Sequence, residues 1–207
     1  MRPRALIVTA LLALGLTALA PAARADTLSA AESTRLARGE TVIREHNWAP
    51  GESARYIGGL TYTIVDASAA EVSSLLEDVS SYRHVLPRTK RAKLISVEPN
   101  GDRLVELVQG NALMEAEYTI RVRHYPARGE ARFWLELSRP HEIDDAFGYF
   151  RVESLVGPSG EQRALLTYAV LVDVGPGIVR DLFAERVRAA LLSVPQLVRR
   201  HVAEMRH

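Results

Sequence analysis

The chain has 207 residues, 26 basic against 25 acidic side chains for a formal net charge of +1, and no cysteine. The missing cysteines exclude disulfides, thiolate-bound zinc and thiol chemistry. The balanced charge lacks the concentrated basic footprint of a nucleic-acid-binding protein, so no nucleic-acid partner is expected.

Residues 1–25 read as a signal peptide. Arg2 and Arg4 form a basic start, Ala5 to Ala20 is an uncharged apolar run, and Ala23-Arg24-Ala25 is a small-x-small cleavage site before Asp26. A membrane anchor is the competing reading, but the run is short for a span of about 20 residues. No cysteine follows it to carry a lipid, and no Arg-Arg pair marks the twin-arginine route. The expectation is an exported, periplasmic protein of about 180 residues, a length that suits one domain with one core. Removal of the segment leaves 23 basic against 25 acidic residues.

Residues 26–54 read as an extension preceding the fold proper. Within it, Ser29 to Arg38 has helical character and Gly39 is a stop. Thr41-Val42-Ile43-Arg44 has the composition of a short strand, and Trp48-Ala49-Pro50-Gly51 that of a turn. The domain itself is expected over residues 55–207. Tyr56 to Val65 is rich in β-branched and aromatic residues and reads as a strand. Asp66-Ala67-Ser68 ends it, with Ser68 as N-cap and Glu71 completing a capping box. The helix Ala69 to Glu77 carries Val72, Leu75 and Leu76 at helical spacing. A second short helix, Asp78 to Leu86, is closed by Pro87, and a strand follows from Lys90 to Val97.

This order resembles the START-like (SRPBCC) helix-grip superfamily, in its coenzyme-Q-binding and polyketide cyclase-like branch. There a first strand ends in a short Asp/Ala turn, a helix follows, and an aromatic-x-x-x-x-Pro element leads into the second strand. Asp66-Ala67, Asp78 and Tyr82-Arg83-His84-Val85-Leu86-Pro87 match that pattern. The resemblance extends from about Tyr56 to the C-terminus, and its motifs are patterns of shape rather than of chemistry. It implies an α+β fold in which a curved antiparallel sheet wraps around a long C-terminal helix.

The rest of the chain reads the same way. Asn100-Gly101-Asp102 is a hairpin signal between Lys90–Val97 and Arg103–Gln109. Tyr125 to Gly129 separates Leu113–His124 from Ala131–Ser138, and Gly157-Pro158-Ser159-Gly160 separates Phe147–Val156 from Gln162–Val172. Strands joined by short turns imply an antiparallel sheet. Ala116, Tyr118, Ile120 and Val122 alternate with Glu117, Thr119, Arg121 and Arg123, so one face is covered and one is wet. Beyond Gly175-Pro176-Gly177 an apolar stripe from Ile178 to Val202 recurs at helical spacing, and Pro195 is expected to kink that helix.

The resemblance implies a cavity between sheet and helix that holds a lipid, sterol, quinone or other apolar molecule. The candidate lining is Tyr118, Ile120, Val122, Phe133, Leu135, Leu137, Phe150 and Val152 on the sheet, facing Leu182, Phe183, Val187 and Leu191 on the helix. Taken singly, each of these reads first as an ordinary core residue. Gln109 and Asn111 are candidates to orient a ligand head group, or else turn residues.

No cofactor or metal is implied. There is no Gly-x-Ser-x-Gly elbow, no His-Glu-x-x-His helix and no phosphate-binding glycine loop. His141-Glu142-Ile143-Asp144-Asp145 is the densest polar cluster and reads as a solvated loop. His84 is a weaker candidate near the expected cavity mouth. Arg88, Lys90, Arg91 and Lys93 form one basic cluster, read either as a guarded strand edge or as a contact for a membrane surface. Three readings stay open: a carrier of an apolar ligand, a cyclase/aromatase-like or hydrolytic enzyme, and an interaction module with a closed cavity.

Overall fold

The computed structural model describes residues 27–51, 55–110 and 115–206. The expected signal peptide, Asn111 and Leu113 lie outside them. In chain order the elements are α1 (Ala30–Ala37), β1 (Val42–Trp48), β2 (Tyr56–Val65), α2 (Ala69–Glu77), a single 3-10 turn at Val79–Ser81, and α3 (Tyr82–Val85). The strands β3 (Thr89–Val97), β4 (Arg103–Gly110), β5 (Glu115–Tyr125), β6 (Glu130–Leu135), β7 (Asp145–Val156) and β8 (Gln162–Asp173) follow, and α4 (Ile178–Leu192) and α5 (Val194–Met205) close the chain.

All eight strands form one antiparallel sheet in the order β1-β2-β8-β7-β6-β5-β4-β3. Every neighbour except the β2–β8 pair is consecutive in sequence, so the sheet is a meander whose N-terminal pair is joined to its C-terminal strand. The segment expected to precede the fold supplies β1, which pairs with β2 from Val42↔Tyr62 to Trp48↔Tyr56. This is the α+β helix-grip architecture.

Local chemistry sets the helix ends. Ser68 accepts a hydrogen bond from the Glu71 amide at 3.2 Å, while the Glu71 carboxylate accepts from the Ser68 amide at 2.7 Å. The same reciprocal box starts α1, between Ser29 and Glu32. The long C-terminal stripe is divided at Ser193. Pro195 falls in the first turn of α5, where a missing N–H costs nothing, and so the expected kink is a full break between two helices.

The covered face of the sheet holds the main core. Val65, Val105, Leu135, Leu166 and Val170 pack there against Val72 and Leu76 of α2, Val85 of α3, and Leu192, Val194 and Val198 at the α4–α5 junction. Thr61 donates its hydroxyl to the Leu192 carbonyl at 3.1 Å, which satisfies a main-chain acceptor at the end of α4. Arg188 ties α4 to the sheet edge, reaching Glu45 at 3.2 Å and Asn47 at 2.7 Å while itself buried. On the opposite face a second, smaller core gathers Leu36, Val42 and Tyr62, with Leu60, Ile64 and Leu165 around it.

That opposite face is less wet than the alternation suggests. Thr119 is buried, and the Arg123 guanidinium lies over the Trp134 ring at 5.4 Å. Asp102, in the β3–β4 hairpin, is buried and receives two 2.7 Å hydrogen bonds from Arg123.

Three expectations are corrected here. Strand β6 ends at Leu135, so Leu137 lies past the sheet and is 65% exposed. Leu182, expected to grip the sheet, is 71% exposed. Phe183 and Val187 are half-buried and pack away from the cavity, the Phe183 ring lying under the Arg186 guanidinium at 5.5 Å. The physical reason is shared by the helix residues. α4 packs mainly on β2 and is held to β1 through Arg188, at one side of the sheet, and of the expected helix residues only Leu191, beside the α4–α5 junction, reaches the cavity.

Two outcomes test this arrangement. Leu192→Ala removes a fully packed side chain and should lower unfolding free energy by about 2–5 kcal/mol, whereas Leu182→Ala should stay within about 0.5 kcal/mol. Urea denaturation separates the two, and equal costs would reject the helix register. The second concerns acid. The hydrogen bonds from Arg123 hold the Asp102 carboxyl down at about 2, below its ordinary 3.8. Its contribution to stability is therefore complete above about pH 4 and is lost as pH falls through about 2. Stability measured between those limits should fall, and Asp102→Asn should flatten part of the fall, with Glu32 and Glu71 (also held at about 2) and the lowered carboxyls of Asp78, Glu130 and Glu136 supplying the remainder.

Candidate functional site

Beneath the α4–α5 junction the core is not closed. A cavity of about 70 Å³, measured as space open to the centres of water molecules, lies between sheet and helices. One water needs roughly 10–15 Å³ on that measure, so the space is that of several waters.

The sheet supplies the floor. Phe133 of β6, Phe150 of β7 and Tyr168 of β8 pack together there, with ring centroids 5.7 Å apart for the tilted phenylalanine pair and 4.6 Å for the stacked Phe150 and Tyr168. Such pairs are favoured beyond the area they bury. Gly148 makes the arrangement possible, because a Cβ at that position would stand 2.5 Å from the Phe133 ring. Leu107, Tyr118, Ile120, Val122 and Val170 continue the wall, Leu191 and Val194 form the roof, and Leu76, Tyr82, Val85, Leu86 and Pro87 close the side from α2, α3 and the turn after it.

Six of the expected lining residues meet in this cavity: Tyr118, Ile120, Val122, Phe133, Phe150 and Leu191. Leu135 and Val152 are buried on the same face but do not line it, and Leu137, Leu182, Phe183 and Val187 lie elsewhere. The alternation of β8 would have pointed to Tyr168, since Ala164, Leu166, Tyr168, Val170 and Val172 share one face. The helix-closing Leu86-Pro87 pair was legible as a turn but not as a wall.

Four lining residues carry polar side chains, and none is charged. Tyr82 donates to the Leu76 carbonyl at 3.2 Å. Tyr118 donates to Oε1 of Gln109, whose amide nitrogen donates to Thr89 Oγ1 at 2.8 Å and to the Pro87 carbonyl at 3.2 Å. Gln109 therefore sits within a strand and fixes the cavity wall to the α3–β3 turn. Burial pushes the Tyr82 phenol up to about 12 and raises those of Tyr118 and Tyr168 further, so all three are neutral at physiological pH.

A second recess of about 140 Å³ adjoins the first and shares Leu76, Ala131 and Phe150 with it. Its wall includes Ser73, Glu77 and His124, with His124 Nδ1 3.7 Å from the Glu77 carboxylate. Burial lowers the His124 pKa against the pull of Glu77, which favours the neutral imidazole.

The remaining candidates lie outside both spaces. His84 is exposed on α3 and stacks on His201 of α5 at 4.8 Å. In the His141–Asp145 loop, His141 Nδ1 is 2.8 Å from the Ile143 carbonyl, and Glu142 accepts from the Glu117 amide at 2.7 Å, so these groups shape the loop. No group of three potential metal ligands occurs among the described residues. In the basic cluster Lys90 pairs with Glu115, and Arg91 is 3.2 Å from both Glu106 and Glu117, so these two cations of β3 reach across to acids on β4 and β5.

No protein-family model matches the sequence, and no curated protein matches it. Solved structures do. A START superfamily protein from Mycobacterium smegmatis superposes with a TM-score of 0.57 at 18% identity, covering 70% of this chain and 97% of that one. A STAR-related lipid transfer protein from Xanthomonas axonopodis (fragment 25-204) gives 0.56 at 12% identity, covering 77% and 98%. A di-domain ARO/CYC protein of the steffimycin biosynthetic pathway gives 0.52 at 12% identity, covering 85% of this chain and 56% of that one. Likeness at these identities shows the fold, the helix-grip fold that these structures share.

Proposed function

We propose that the protein is an exported binding or carrier protein for an apolar ligand of the lipid, sterol or quinone class, held between the sheet and the C-terminal helices. The observation that carries this reading is the cavity wall, which is apolar apart from four neutral side chains and contains no charged group. Pockets for apolar molecules have this composition, with a few polar groups to fix orientation. The likeness to a STAR-related lipid transfer protein supports the ligand class. Export rests on residues 1–25, and contact with a membrane surface on Arg88, Lys90, Arg91 and Lys93.

A second reading, a cyclase-type or hydrolytic enzyme on the same scaffold, draws on the His124–Glu77 pair in the adjoining recess. Such a pair has the elements of a general base and its orienting carboxylate. It requires a turnover that His124→Ala abolishes.

Uptake of a fluorescent sterol decides between them. Ile120→Trp places a large ring in the cavity and should weaken uptake by about tenfold or more, the equivalent of the 1–3 kcal/mol that overpacking costs. Circular dichroism checks that the variant is folded, and Ala131→Leu serves as a milder obstruction. Leu182→Ala, His84→Ala and Asp144→Ala should leave uptake unchanged. Undiminished uptake in both obstructed variants would remove the cavity from the function. N-terminal sequencing of protein recovered from the periplasm should begin at or near Asp26, and an intact Met1 in the membrane fraction would reject export.

A further inference from the structure

The polar groups of the cavity are not equivalent. The Tyr82 hydroxyl is committed to the Leu76 carbonyl, the Tyr118 hydroxyl to Gln109, and the Gln109 amide to Thr89 and Pro87. Tyr168 differs. It lines the cavity with only 4% of its surface accessible, stacks against Phe150 and Phe133, and its hydroxyl has no hydrogen-bond partner among the described residues. The oxygen is not fully enclosed and opens on the cavity, where phenylalanine would provide the same ring contacts without a polar group.

We propose that Tyr168 is the specificity-determining group of this cavity, donating one hydrogen bond to the uncharged carbonyl oxygen of an otherwise apolar guest. This rests on the carrier reading and refines it. A carbonyl is satisfied by a single donor, and Tyr168 is the one lining side chain whose donor is uncommitted. An ionised acid is disfavoured by the same wall, because no lining residue carries a positive charge to offset the desolvation of a carboxylate. The guest class is therefore a neutral ketone or quinone on an apolar skeleton, and not an ionised fatty acid.

Three probes with one ring skeleton test this: fluorene, fluorenone and ionised fluorene carboxylate, with binding to the full-length mature protein measured by calorimetry. The native protein should bind fluorenone about tenfold tighter than fluorene, the upper range of one neutral hydrogen bond, and should bind the carboxylate more weakly than either. In Tyr168→Phe the fluorenone advantage should vanish while fluorene affinity holds within about twofold. The carbonyl stretch of fluorenone bound to the native protein should lie below its frequency in an alkane solvent, a readout that does not depend on any variant. Equal affinity for ketone and hydrocarbon, a ketone preference that survives Tyr168→Phe, an unshifted carbonyl stretch, or tighter binding of the carboxylate would each overturn the assignment. If the native protein binds neither fluorene nor fluorenone, the carrier reading falls and this assignment falls with it.

Discussion

The concave face of the sheet has to be covered, and most of the structure answers to that requirement. Eight antiparallel strands present one apolar face far broader than a single straight helix can bury, so the C-terminal stripe is divided at Ser193 and laid down in two pieces. Arg188 fixes the first piece to β1, and Thr61 meets its last turn from β2. Val194 and Val198 of the second piece seal the core. From the other side α2 and α3 complete the lid, held in place by the Ser68–Glu71 box. The cavity is what this two-sided cover leaves open.

The opening is maintained by shape as well as by position. Gly148 lets the Phe133 ring settle against β7, and the three rings packed beside it form the floor. Protein interiors normally close such gaps, since unfilled contacts forfeit dispersion energy. Here the polar groups at the margin work in the opposite sense. The Tyr118–Gln109–Thr89 chain pins the wall to the α3–β3 turn, so collapse would strand a buried amide.

Much of this was written in local sequence. The Ser68–Glu71 box, the Asn100-Gly101-Asp102 hairpin and the Pro195 break all depend on neighbours a few residues apart, and all three stand where the residue types require. The alternation in β5 placed Tyr118, Ile120 and Val122 correctly, because strand periodicity fixes a face without reference to the rest of the fold. The failures are those of tertiary placement. Leu182 and Leu191 belong to the same helical stripe, yet only the second reaches the cavity, because the direction in which α4 crosses the sheet is set by Arg188 and β1, far away in sequence. Leu137 continued an alternation that the strand itself did not. Thr41–Arg44 was recognisable as a strand, but nothing local says that it pairs beyond β2 at the sheet's margin.

The pairing of β2 with β8 has a consequence for how the chain acquires this shape. Ile57 meets Val172 and Val65 meets Ala164, so the second strand in sequence waits for the last before its free edge is satisfied. The pairings from β3 to β7 join strands consecutive in sequence and need no distant partner. Contacts of such wide sequence separation slow the crossing of the folding barrier, because loop entropy is lost before the pairing returns it. The α1–β1–β2 unit and the β3–β7 meander are thus two bodies that β8 joins, and a nascent chain interrupted before Gln162 has both an unpaired edge at β2 and a concave face with no helix to cover it. The final 46 residues act as the clasp of the molecule, and the cavity comes into being only when they close.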